Sequence, residues 1–457
     1  MAANEATTNQ VGQLTADPGQ RRLATAWLVL GITALALAGL FAILLVVARA
    51  PGTSALFPTQ DFFRVALIVH VDQSVLIWFL AFAGVLWSLA NAARRLSWIA
   101  FATATGGCLL VAAAPFFGAA DPLLNNYVPV LDHPLFLVAL AIFGLGALLQ
   151  VIAYLPRVFG GLSWRDPPAV GIATAAIATL IAGISLLWTW SGLAPAWQGK
   201  AYYEYLFWGP GHVLQFAYTQ LMLVAWLWLA RAVGRPIGLP NRWQSAILVL
   251  GVLPLLLVVV LHALYAPDSA EARLGFTRLM QYGNGLAAVP IGLLLTIALI
   301  RRRGAAMTEP LRPEYRALVA SLVLFFAGGA LGAAIAGVNT IIPAHYHGSI
   351  VAVTLALMGL TYQLLPELGF GRAVGRMARW QPAVYGAGQL LHIAGLAASG
   401  AMGIQRKTAG AAQGLEGVWA KTFMGIMGLG GLLAVIGGIL FVVVVLRAFA
   451  QGSGTGR

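Results

Sequence analysis

Charge is scarce in this chain. Only 9% of its 457 residues are Asp, Glu, Lys or Arg, and 60% are hydrophobic, whereas about a quarter of an ordinary soluble domain is charged. Cysteine is scarcer: one thiol, Cys108, inside an apolar run. A single thiol excludes an intrachain disulfide, a covalent CxxCH haem, a cysteine-paired dicopper centre and a zinc ribbon. No loop is long enough to hold a soluble domain, and the lack of a fixed period of about 20–50 residues excludes a repeat array. The first apolar run is too long for a removable signal peptide and has no small-residue cleavage site, so it reads as an anchor.

Apolar length is what the chain has. Runs of roughly 20 residues, each enough to cross a bilayer core about 30 Å thick, recur throughout. Twelve spans are expected, at 25–48, 62–92, 97–118, 134–155, 169–192, 204–231, 244–266, 277–300, 315–338, 342–366, 380–402 and 421–447. The fold class expected is an all-α polytopic membrane protein. A single twelve-helix membrane domain fills 21–450, between a disordered cytoplasmic tail at 1–20 and a C-terminal tail at 451–457. Clusters such as Gly328-Gly329-Ala330, Gly430-Gly431 and Gly437-Gly438 suit close helix approach in lipid.

The net charge of +13 reads as topology. With the N-terminus cytoplasmic, that side receives 19 of the 27 Lys and Arg, including Arg21, Arg22, Arg94, Arg95, Arg157, Arg165, Arg301, Arg302, Arg303 and Arg447. The positive-inside rule then sets both termini in the cytoplasm of a bacterial-type inner membrane. Anionic lipid is the implied partner of the basic side, and nucleic acid is not needed to explain it.

The seven histidines are informative on this map. His70 lies about eight residues into span 2 and His212 about eight into span 6. His262 lies about four before the end of span 7, and His345 and His347 begin span 10. Successive spans alternate in direction, so all five fall in the outer third of the membrane, within roughly two helical turns in depth. On a helix His345 and His347 stand roughly 200° apart and face two neighbours at one depth. Imidazoles buried in a membrane imply function, and iron and copper are common partners for them. His392, within span 11, is a candidate for a role near a haem, and His133, before Pro134, reads as a helix cap. The small residues of Trp208-Gly209-Pro210-Gly211 read as room for a flat macrocycle beside His212.

With these residues the sequence resembles the catalytic subunit of the heme-copper oxidase superfamily over nearly its whole length. The resemblance implies two haems, of unspecified type, and one non-haem metal, copper or iron. By position, His70 and His347 would hold a low-spin haem and His345 a high-spin haem. His212 and His262, separated by 50 residues, would hold the second metal, with Gln215 or Asn284 as further donors. Arg406 and Lys407, in GIQRKT, match the basic pair that holds haem propionates.

The sequence also departs from that pattern. Ala263 stands where a second adjacent histidine is expected, and Phe216 stands four residues after His212, where the commoner oxidases have a redox tyrosine. Polar residues of the usual proton channels are missing; Asp72, Gln73 and Gln150 are the few inside spans. Cleaving dioxygen takes four electrons, one of them from that tyrosine, while joining two NO molecules into N2O takes two. The expected activity is therefore NO reduction, in a respiratory oxidoreductase drawing protons from the outer face. Oxygen reduction through a relocated tyrosine (Tyr265, Tyr282 or Tyr346) and a non-catalytic haem relay or gas sensor are the alternatives. A transporter would need broken helices and midplane charges. Electrons would come from a quinol or from a small membrane-anchored partner carrying a copper or cytochrome domain.

Overall fold

The computed structural model describes residues 16–49, 60–91, 94–301 and 311–452. The expected tails lie largely outside them: α1 begins at Pro18, and the last helix continues to Gly452. Arg302, Arg303 and Arg457 also lie outside.

The helices are α1 (Pro18–Arg49), α2 (Gln60–Val71), α3 (Trp78–Ala90), α4 (Arg95–Ala113), α5 (Pro134–Phe159), α6 (Pro167–Gly192), α7 (Gly199–Ala232) and α8 (Asn241–Leu250). They continue as α9 (Leu257–Leu264), α10 (Ala270–Gly283), α11 (Gly285–Arg301), α12 (Arg312–Ala333), α13 (Ile341–Glu367), α14 (Gly375–Ala401) and α15 (Gly417–Gly452). A π-helical turn, Asp72–Ile77, joins α2 to α3. Pro254 sits in the tight turn Leu253–Leu256 between α8 and α9, where its missing N–H breaks the ladder. Asn284 separates α10 from α11. Spans 2, 7 and 8 are thus each made of two helical pieces.

Among the described residues, eleven segments are long and apolar enough to cross a membrane. The twelfth expected span is α14, which is long but carries Gln381, Gln389 and His392. These polar groups point into the protein: the Tyr362 hydroxyl donates to Gln381 at 2.9 Å. Neighbouring helices pack as antiparallel pairs, α4 on α5, α6 on α7, α12 on α13 and α14 on α15.

The core is aromatic around α3, where Trp78 meets Phe82 and Phe441 edge-on at centroid distances of 5.4 and 6.4 Å. Large apolar side chains on the outer surface, such as Leu256, Val259 and Leu446, remain exposed. In a bundle of this composition that surface faces lipid.

One connection enters the bundle. Residues 118–133 form a short antiparallel ribbon, β1 (Pro122–Leu123) on β2 (Val130–Leu131), paired Pro122 to Leu131 and Leu123 to Val130. Its tip holds Tyr127 in the left-handed region at φ 66°. The ribbon returns to α5, whose N-terminus His133 caps by accepting from Leu135 N at 3.3 Å.

Candidate haem and metal site

The histidine layer divides into three settings. In the first, α2, α13 and α14 bring His70, His347 and His392 together. His347 lies within electrostatic reach of His392, His70 and Arg49, and His392 reaches Arg49 and His70. The Nδ1 of His70 meets Ala38 O of α1 at 2.9 Å, which leaves Nε2 unprotonated and without a hydrogen-bond partner among the described residues. His70 and His347 sit deep in the bundle, and both are half-buried. Two neighbouring imidazoles of this kind fit a haem held between them, and Arg49 beside them suits acidic substituents. His70 and His347 would hold that haem, whose iron exchanges single electrons when bound.

His345 occupies the second setting, on the other side of α13. Its Nδ1 meets Gly328 O of α12 at 2.7 Å. An added Cβ at Gly332 would lie 2.7 Å from that nitrogen, so a small residue on α12 lets the ring seat. A carbonyl on one ring nitrogen and a free nitrogen opposite is the usual posture of a metal-ligating histidine. His345 therefore fits an axial ligand of a second haem.

The third setting does not assemble a metal shell. Both ring nitrogens of His212 meet protein oxygens, Nδ1 the Trp208 carbonyl at 2.6 Å and Nε2 the Tyr127 hydroxyl at 2.7 Å. The Nε2 of His262 meets Ser185 Oγ at 2.8 Å, and its ring stacks on Trp188 at 5.2 Å. No cluster of three or more His, Cys, Asp or Glu among the described residues would hold a metal ion. Gln215 is half-buried, and the buried Asn284 oxygen has no partner among the described residues. Neither is bonded to His212 or His262 among the described residues. As placed, His212 offers no unbonded ring nitrogen to a metal and His262 offers Nδ1 alone.

The glycines before His212 serve another purpose than the one read from the sequence. A Cβ at Gly209 would meet the Phe276 ring at 2.9 Å, and one at Gly211 would run into the Tyr127 ring. The room they leave is filled by these two aromatic side chains.

Arg406 and Lys407 reach the tip of the ribbon. Arg406 Nη2 donates to Asn126 Oδ1 at 2.7 Å, and Lys407 Nζ donates to Leu124 O at 2.5 Å and Asn125 O at 3.3 Å. Glu204 accepts from Asn126 N at 2.9 Å. Arg406 is also within electrostatic reach of Tyr346, next to His347. Burial, reinforced by Arg406, pushes the Lys407 ammonium down to about 7, and burial raises the Tyr127 phenol above its ordinary value.

Three residues of the site escape sequence reading. Arg49 ends α1, and its Nε donates to Thr408 O at 2.9 Å, within electrostatic reach of His347 and His392. Tyr127 comes from a loop 85 residues from His212, and Ser185 is one hydroxyl in an apolar helix; no local pattern marks either. Asp72 was visible as a polar residue in span 2. Among the described residues both of its carboxylate oxygens are buried without a partner, within electrostatic reach of Tyr218.

Fold and histidine layer together define a class, the polytopic membrane oxidoreductases that hold a redox group between helices. The family model described as cytochrome c and quinol oxidase polypeptide I matches residues 22–433, and the chain belongs to that family. A family of this kind implies haems and a metal centre. An uncharacterised protein of Rickettsia prowazekii (strain Madrid E) is 31% identical over 486 aligned positions, 92% of this chain and 94% of the relative. An uncharacterised protein of Aquifex aeolicus (strain VF5) is 29% identical over 360, 78% of this chain and 88% of the relative. Among solved structures, a heme-copper terminal oxidase dimer superposes with a TM-score of 0.72 at 17% identity, covering 94% of this chain and 84% of that one. That last likeness is one of fold.

Proposed function

We propose that this chain is a haem-bearing redox subunit of a respiratory membrane complex, which relays electrons through the low-spin site of His70 and His347. The observation that carries this reading is a contrast. His70 and His347 lie together, each with a ring nitrogen that meets no hydrogen-bond partner among the described residues, whereas both ring nitrogens of His212 meet protein oxygens and His262 keeps only Nδ1. A chain with the first arrangement and without the second can move electrons, but offers no shell for the metal that would complete a gas-reducing centre.

In this reading the protein's own groups do specific work. Ala38 fixes the tautomer and plane of His70 through its carbonyl. Arg49 supplies a positive charge beside the histidines and is itself tied to the Thr408 carbonyl. Electrons arrive from a quinol or from a small membrane-anchored partner with a copper or cytochrome domain. That partner docks at the outer face, where the histidine layer lies.

A second reading keeps catalysis, and His345 favours it: its free nitrogen opposite the Gly328 bond suits a haem with one open side. Phe216 in place of a tyrosine favours NO as the substrate of that haem. Tyr127, whose hydroxyl reaches His212 from the loop, favours dioxygen instead.

One preparation separates these readings. Haem, copper and iron are quantified on the purified, reduced complex, and anaerobic turnover is followed with NO and separately with dioxygen. Low-spin haem with no second metal and neither activity is the result expected of a relay. Formation of N2O with little oxygen uptake would establish NO reduction and overturn the relay. Rapid, complete oxygen reduction would do the same in favour of an oxidase and turn attention to Tyr127.

A further inference from the structure

This inference rests on the low-spin haem reading and concerns a residue outside the pair expected to bind the iron. His70 and His347 lie together but are held differently. Ala38 O holds the ring of His70, whereas among the described residues neither ring nitrogen of His347 meets a hydrogen-bond partner. A ligating imidazole usually has its other nitrogen held, which fixes the ring plane; no such bond fixes the ring of His347.

Ring packing takes the place of the missing bond. The His392 ring stands against His347 with centroids 4.9 Å apart and planes at 64°, the edge-to-face arrangement that aromatic pairs favour. Tyr346 lies 5.2 Å away at 32°, but it neighbours His347 on the same helix and does not anchor it to another element. His392 does.

His392 is itself fixed. Its Nδ1 meets Met427 O of α15 at 2.9 Å, across a seam of small residues. A Cβ at Gly430 would run into the His392 backbone nitrogen, and one at Gly431 would lie 3.3 Å from Nδ1. Gly388 and Gly395 make equally close approaches from the α14 side. The seam sets the height of α14 on α15, the carbonyl sets the His392 ring, and that ring meets His347.

We propose that His392 is a positioning residue for the low-spin haem, setting the plane of the His347 imidazole relative to that of His70. The angle between two axial imidazole planes governs the g-anisotropy of a low-spin ferric haem, so electron paramagnetic resonance reads the proposal directly, without turnover.

The test uses purified full-length protein. In His392→Ala, haem content and the low-spin optical bands are expected to persist. The lowest-field resonance line is expected to move and broaden, and the midpoint potential to shift. His392→Phe, which restores a ring without nitrogen, is expected to return the line most of the way. An unchanged line and potential in His392→Ala would overturn the proposal, as would a Phe variant displaced as far as the Ala variant. A five-coordinate spectrum in His392→Ala together with a low-spin spectrum in His347→Ala would also overturn it, by making His392 the ligand. If the Ala variant does not accumulate, His392→Leu fills the volume without a ring and is read by the same criteria. Absence of any low-spin signal from the unmodified protein would instead remove the haem reading on which the proposal rests.

Discussion

A buried histidine is a ligand or a structural residue according to what its two ring nitrogens meet. His70 and His345 each spend Nδ1 on a carbonyl of another helix, and His212 spends both nitrogens. Sequence carries depth, which is why the five histidines could be grouped into a layer, but it carries no ring orientation, so His212 and His262 looked equivalent to the rest. Lys407 illustrates the same gap. Its position beside Arg406 in GIQRKT was legible, whereas its burial against the ribbon carbonyls was not. Burial and Arg406 push its ammonium from 10.5 down to about 7. Between those values the unfolded chain keeps a proton that the folded chain has released. Stability therefore rises with pH across that window, and the cost of Lys407 is fully present below about 7. Lys407→Met is expected to flatten the increase in melting temperature between about pH 7 and pH 10 in detergent. A slope equal to that of the unmodified protein would show that the ammonium is not desolvated.

At the scale of elements, apolar length made the spans readable and the polar minority made some of them misleading. The expected spans agree with the helices to within about seven residues at each end, yet α14 is less apolar than its neighbours because Gln381 and His392 face inward. The breaks at Pro254 and Asn284 and the π-helical turn after Val71 were not anticipated, since each depends on how neighbouring helices satisfy freed backbone groups. Small residues were legible as a composition, but their partners were not. Gly107 and Gly146 form a reciprocal seam between α4 and α5: a Cβ on Gly107 would meet the Phe143 backbone, and one on Gly146 would meet that of Ala104. Gly106, next in sequence, has nothing within 4 Å of its added Cβ. Gly107→Ala must push two backbones apart and is expected to destabilise the bundle by about 1–3 kcal/mol. Gly106→Ala, which gains helix propensity of roughly 1 kcal/mol, is expected to be neutral or stabilising. Unfolding in mixed micelles compares the pair, and equal effects would mean that the seam is looser than this packing requires.

At the scale of the molecule, the basic residues predict an orientation, and the orientation decides where electrons enter. Arg94 and Arg95 between α3 and α4, Arg157 and Arg165 between α5 and α6, and Arg231 and Arg235 after α7 all lie at one end of the bundle. The ribbon, the α9–α10 turn and the Gln405–Lys407 loop lie at the other. If the arginine-rich end is cytoplasmic, a fluorescent reporter fused after Arg457 should fold and fluoresce. Alkaline phosphatase fused after Pro267, in the α9–α10 turn, should be active outside. The reverse pattern would invert the bundle. It would also move His347, which begins its layer about 9 Å into α13 by helical rise, from the outer to the inner third of the membrane. An external copper or cytochrome domain could then no longer reach the low-spin site over a short distance, and a donor on the cytoplasmic side would have to replace it.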